Sequence, residues 1–99
     1  MQVTSKQDSW CAVVNIFAAS KKAASLWRRA EEKLKSDSIP FETFFTGDDG
    51  NAMNLAYSAS EQGFRKFIAV GGDGTIHDVL EGIMFYIEAR SRSLSIPAC

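Results

Sequence analysis

The sequence predicts an α/β fold in three layers: a parallel sheet with helices on its faces, in the order β-α-β-α-β-α. Three observations lead there. Strand-like apolar runs alternate with segments of helical period, and the connections between them are short. Two of the runs, Trp10 to Phe17 and Phe67 to Val70, are nearly continuous in apolar residues, which suits strands covered on both sides. Gly71-Gly72-Asp73-Gly74-Thr75 stands between an apolar run and an amphipathic one, the setting of a strand–turn–helix corner.

Composition bounds what such a fold could do. At 99 residues with 45% hydrophobic content, the chain fits one domain with one modest core. Eleven basic and twelve acidic residues give a net charge of −1. That balance leaves no footprint for nucleic acid and no polybasic membrane anchor. Residues 1–9 read as a loose polar leader without a signal-peptide pattern. Cys11 and Cys99 lack both metal-site spacing and the numbers of a disulfide framework, and Cys11 lies in an apolar run, as a buried small hydrophobe does. The expected setting is cytoplasmic, with at most peripheral contact at the inner membrane face.

The elements follow in order. The first strand spans Trp10 to Phe17, with Asn15 near its end. Ser20 can cap the helix that follows, Lys21 to Ser36, in which Ala23, Trp27, Ala30 and Leu34 share one face. Arg28 and Arg29 fall among Glu and Lys residues, as on a solvated helix face. Pro40 closes the region, and Phe41 to Thr46 is the second strand, with Phe41, Phe44 and Phe45 as its apolar residues. Gly47-Asp48-Asp49-Gly50-Asn51 is a turn, its aspartates suited to capping the next helix or to holding a cation. That helix buries Ala52, Leu55, Ala56 and Ala59 and stops at Gly63. The third strand leads into the glycine corner and a helix over about Thr75 to Glu88, its apolar face made of Ile76, Val79, Leu80, Ile83 and Ile87. Gly82 weakens that helix unless a neighbour must come close. Residues 89–99 read as a connection.

In a parallel sheet, Asn15, Thr46 and the glycine corner all follow carboxyl ends of strands, where open α/β sheets bind ligands. The glycines let the backbone approach a ligand, and the helix start offers unpaired amides and a positive dipole end to phosphate. The corner is not a P-loop, since no lysine follows the glycines, nor a dinucleotide fingerprint, since His77 stands where a third glycine belongs. It carries an acid instead. Asp73 beside phosphates calls for an intervening divalent ion or a ligand hydroxyl; a turn role, accepting its own amides, is the alternative. His77 reads as a proton carrier or as an exposed side chain, and Asp78 is explained by the helix dipole alone.

Gly71-Gly72-Asp73-Gly74-Thr75, followed by Ile76-His77-Asp78-Val79-Leu80-Glu81-Gly82-Ile83, resembles the nucleotide motif of diacylglycerol kinase-type lipid kinases. The likeness extends back through the Phe44-Phe45-Thr46 strand to Asn15, and so covers about Trp10 to Ile87. It implies the N-terminal nucleotide-binding domain of the wider superfamily that includes NAD kinases and, distantly, phosphofructokinases. By the resemblance, ATP with Mg²⁺ is held by Asn15, Thr46, Gly71, Gly72, Asp73, Gly74, Thr75, His77 and Asp78, with Asp73 meeting Mg²⁺ through the nucleotide. The chain departs from the family at Asn15-Ile16-Phe17-Ala18-Ala19, where Asn-Pro-x-Ser-Gly is usual. It departs again at His77, a usual asparagine (histidine in sphingosine kinase relatives), and at Asp78, a usual glutamate.

The implied activity is transfer of the γ-phosphoryl of ATP to a lipid hydroxyl, of diacylglycerol or sphingosine type. Family members carry the lipid pocket, a second glycine motif and the catalytic base in a further domain. The chain therefore reads as a fragment, inactive alone, that meets its lipid through that domain. Two alternatives stand beside this reading: an NAD kinase-like enzyme, and a non-catalytic module that binds nucleotide or associates, including with itself.

Overall fold

The computed structural model describes residues 5–17, 22–47 and 51–94. Three strands and three helices alternate: β1 (Trp10–Val14), α1 (Lys22–Ser36), β2 (Phe41–Phe45), α2 (Ala52–Gln62), β3 (Lys66–Val70) and α3 (Asp73–Leu94). The sheet is parallel throughout, in the order β2-β1-β3. The expected α/β class and element order are therefore found. Ser20, Asp48, Asp49 and Cys99 lie outside the described residues.

The central strand shows why the apolar run reads as doubly covered. Cys11, Ala12, Val13 and Val14 are all 0% exposed. Alternate residues of a strand face opposite sides, and the core divides accordingly. Ala12 and Val14 join Trp27 of α1, with Ala30, Leu34, Phe41, Ile68 and Val70 against them. Cys11 and Val13 join Ala52, Ala56, Ala59, Phe64 and Val79, the α2–α3 side. Each layer is closed by an edge-to-face aromatic pair, Trp27–Phe41 on one side and Phe44–Phe64 on the other, both with centroids 6.0 Å apart. Such a pair adds about 0.5–1.5 kcal/mol beyond its buried area.

The helix boundaries are chemical. α2 begins after its N-cap residue, Asn51, which makes no side-chain capping bond. It ends at Gly63, as expected. There φ is +111°, and the amides of Gly63 and Phe64 return to the carbonyls of Ser60 and Ala59. Among the described helices, none is long and apolar enough to cross a membrane.

Four expectations need correction. β1 stops at Val14, because the Asn15 side chain takes the Phe17 amide at 3.0 Å and turns the chain out of the sheet. Ile16 and Phe17 consequently stand 40% and 63% exposed. The leader is not loose from Ser5 onward: Lys6 pairs with Glu42 at 2.5 Å and lies over the Phe64 ring. α3 starts two residues earlier and runs six residues further than the pattern suggests. Gly72 supplies the carbonyl that the Thr75 and Ile76 amides need, and no breaker interrupts the helix before Leu94. Finally, the apolar residues of α3 do not form one buried face. Val79 is buried and Ile83 packs against the core, but Ile76, Leu80 and Ile87 are 45%, 57% and 47% exposed.

Candidate functional site

The register fixes which loops meet. Val14 pairs with Phe45 on one side and with Val70 on the other. The ladder continues one step beyond the strands, Thr46 N donating to Val14 O at 2.9 Å and Asn15 N to Val70 O at 2.8 Å. Thr46, Asn15 and Gly71 therefore sit abreast at one edge of the sheet. Two strand spacings, about 10 Å, separate the outer two.

At the β3 end, Gly71 takes φ +154°, open to glycine and rarely to other residues. A Cβ there would lie 2.5 Å from the Thr75 hydroxyl oxygen. Thr75 is thus folded back against Gly71 and is 4% exposed, with its Oγ1 accepting from Asn15 Nδ2 at 3.3 Å. Because the Thr75 and Ile76 amides bond to Gly72 O, the amides that α3 leaves without an intrahelical acceptor belong to Gly72, Asp73 and Gly74. A Cβ on Gly74 would meet nothing within 4 Å, so the first turn is approachable from outside.

At the β2 end, Thr46 is 4% exposed, yet its Oγ1 has no hydrogen-bond partner. Among the described residues it is the one buried side-chain polar atom left in that state. An unmade bond of this kind costs about 1–3 kcal/mol. It sits at the edge where the α3 amides are also open.

The other expected residues are distributed differently. Asp73 is exposed on the first turn. Asp78 is half-buried. The His77 side chain is 71% exposed and turns outward, its Nε2 3.6 Å from Glu81 and its Nδ1 4.0 Å from Asp78. The structure brings Asn15, Thr75, Gly71 and Gly72 together and sets Thr46 level with them. It does not bring His77 into that group. Among the described residues there is no cluster of three or more His, Cys, Asp or Glu suited to a metal ion. The Asn15–Thr75 tie spans 60 residues of sequence, and no local pattern announces it.

Residues 9–98 match the family described as the diacylglycerol kinase catalytic domain. The chain is 29% identical over 77 residues to "Putative lipid kinase YtlR" of Bacillus subtilis strain 168, covering 75% of this chain and 25% of that protein. It is 44% identical over 39 residues to "Probable lipid kinase YegS-like" of Chromohalobacter salexigens, covering 39% of this chain and 12% of that protein. The chain thus spans a quarter or less of the length of these relatives. No solved structure matches it. With nine-tenths of its residues inside one family's boundaries, and with that family's glycine corner standing at the carboxyl edge of a parallel sheet, the chain belongs to the diacylglycerol kinase catalytic domain family.

Proposed function

We propose that this chain is the nucleotide-binding part of an ATP-dependent lipid kinase, its phosphate cradle running along the carboxyl edge of the sheet from the α3 amides to Thr46. The observation that carries the reading is the Thr46 hydroxyl: buried, without a partner, and level with an open helix N-terminus. An oxygen-rich anion fits both features at once. It accepts from Thr46 and from the amides of Gly72, Asp73 and Gly74. The cradle of about 10 Å suits a chain of phosphates better than a single one.

The roles of the chain's residues follow from their placement. The glycine amides hold phosphate oxygens. Gly74 keeps a Cβ out of the approach, and Gly71 leaves room for the Thr75 side chain to fold back beneath the corner. Asp73, exposed on the first turn, repels phosphate unless a cation stands between them. Asp73 would hold Mg²⁺, which would supply the neutralising charge for the phosphates. ATP supplies the phosphoryl group. Its transfer is chiefly positioning and charge neutralisation, and the described residues supply the positioning. The acceptor, a lipid hydroxyl, and the base that deprotonates it belong to the remainder of a relative-sized protein.

Isothermal titration with ATP, with and without Mg²⁺, tests the proposal. The expected result is binding that requires Mg²⁺, is lost in Asp73→Ala, and weakens about tenfold in Thr46→Val. Absence of binding to the wild-type chain in the presence of Mg²⁺ overturns it. Lipid phosphorylation by these 99 residues alone is expected to be undetectable. A second reading, association with itself or a partner, is favoured by the exposed apolar face of α3, and sedimentation at rising concentration separates it from the first.

A further inference from the structure

Both ends of the Asn15 amide are committed. Oδ1 accepts the Phe17 amide at 3.0 Å. That fixes the orientation of the group, because a backbone N–H can be met only by the carbonyl end. Nδ2 must then face Thr75, to whose Oγ1 it donates at 3.3 Å. The bond is buried, with Asn15 9% and Thr75 4% exposed. On its far side Thr75 lies against Gly71, so closely that a Cβ on that glycine would fall 2.8 Å from the Thr75 Cβ as well as against its hydroxyl.

These contacts form one path: the β1 loop grips Asn15, Asn15 grips Thr75, and Thr75 sets where Gly71 turns. The Thr75 amide itself bonds to Gly72 O at 3.0 Å, closing the first turn of α3. From this we infer that Asn15 is a positioning residue, acting on the phosphate cradle through Thr75 and not by touching the nucleotide. The inference rests on the proposed nucleotide site for its functional consequence and on the described contacts for its structural one.

There is a chemical corollary. Since Nδ2 donates, Thr75 Oγ1 is the acceptor, and the Thr75 proton is left to be donated elsewhere. Asn15 therefore sets the polarity of the threonine as well as its position.

Three variants test this. Asn15→Ser keeps a side-chain oxygen that can take the Phe17 amide in a local turn but is too short to reach Thr75. Thr75→Val keeps the shape and removes the acceptor. The third is the double variant. In the free protein, amide hydrogen exchange at Thr75 and Ile76 is read against Phe64, whose amide bonds to Ala59 O at the far end of α2. Each single variant is expected to raise exchange at Thr75 and Ile76 about tenfold relative to Phe64, and the double variant to do no more than either. Thr75→Ser, which retains the hydroxyl, is expected to stay within twofold of wild type; should the valine variant not fold, the contrast between Asn15→Ser and Thr75→Ser still decides whether the bond matters. Unchanged exchange in Asn15→Ser, or additive effects in the double variant, overturns the inference.

The same cycle is then read in affinity for ATP with Mg²⁺, where a residue acting through Thr75 again gives non-additive losses and a direct ligand gives additive ones. Additive losses overturn the inference. Should the wild-type chain bind no ATP, the nucleotide reading fails, while the exchange experiment still decides whether Asn15 positions the corner.

Discussion

α3 carries two apolar faces, and they differ in nearly everything except composition. The inner face holds Val79, 3% exposed, and Gly82, against which α2 lies so closely that a Cβ would overlap the Met53 carbonyl oxygen and come within 2.9 Å of Ala56 Cβ. The outer face holds Ile76, Leu80, Met84 and Ile87, each about half exposed. Leu80 and Met84 line a shallow groove with His77, Glu81, Phe85 and Glu88. Apolar periodicity gives the helix but not which stripe is covered. The small residue gives that: helices approach closely where a side chain is missing, and Gly82 has that place. The same helix contains a second glycine, Gly74, with open space around it. One substitution at these two positions breaks the comparison or sharpens it.

Gly82→Ala should have the largest effect. The new methyl has no room: it meets the Met53 carbonyl oxygen and Tyr57 N, at 3.1 Å, which are backbone, and the Ala56 Cβ, which is fixed to it. Overpacking of that kind costs about 3 kcal/mol, more than the gain in helix propensity returns. Urea unfolding should show it as a lowered midpoint. The outer-face control, Leu80→Gln, should change stability by about 0.5 kcal/mol or less. Equal effects at the two positions would mean that the inner contact is not what holds α3.

Next in size is a pH effect on the inner side of the sheet. Burial pushes the Cys11 thiol from 9.0 up to about 12, with the Glu42 carboxylate adding to the rise and Lys6 opposing it. The charged form is the thiolate, so the folded chain keeps this proton after the unfolded chain has lost it. The contribution is constant below pH 9.0. Stability then falls as pH climbs from 9.0 towards 12, by about 1.4 kcal/mol per unit. Urea midpoints at pH 8 and pH 10, compared between wild type and Cys11→Ala, isolate the slope. A wild-type slope no steeper than that of the variant would show that Cys11 is not dry.

How much of this was legible follows from the range of each interaction. Gly63 ends its helix through bonds three to five residues away, and the sequence displays that. The Ala23, Trp27, Ala30 and Leu34 face reads correctly because its period is local and its opposite side is charged. α3 has no such contrast, being apolar on two sides, and there the pattern misassigns Ile76, Leu80 and Ile87. The end of β1 was invisible as well. Ile16 and Phe17 continue the apolar run, and only the Asn15–Phe17 bond turns them outward. For the candidate site, the glycine corner and the edge residues Asn15 and Thr46 were legible, since parallel topology alone puts all three at one edge. What Asn15 touches was not, because its partner is 60 residues on.

A smaller effect is expected at Thr46, on the edge where α3 begins. Thr46→Val replaces an orphaned hydroxyl by a methyl of similar shape, which should stabilise the free protein by about 1 kcal/mol. Melting with and without ATP and Mg²⁺ checks it: the variant should melt higher alone and gain less from nucleotide. A variant less stable than wild type in the free state would mean that the hydroxyl has a structural partner.

The smallest effect has the opposite sign to the first. Gly74→Ala places the same methyl on the same helix, but into open space and with a φ that raises no objection. Replacing glycine by alanine within a helix should stabilise by about 0.5 kcal/mol, visible as a slightly raised urea midpoint. If the Gly72–Gly74 amides receive phosphate, the methyl also stands where the ligand approaches, so affinity for ATP with Mg²⁺ should fall while stability rises. A gain in stability with unchanged affinity would move the phosphates off the first turn of α3. A loss of stability would mean that the space seen around Gly74 is not free, and the contrast between the two glycines would fail.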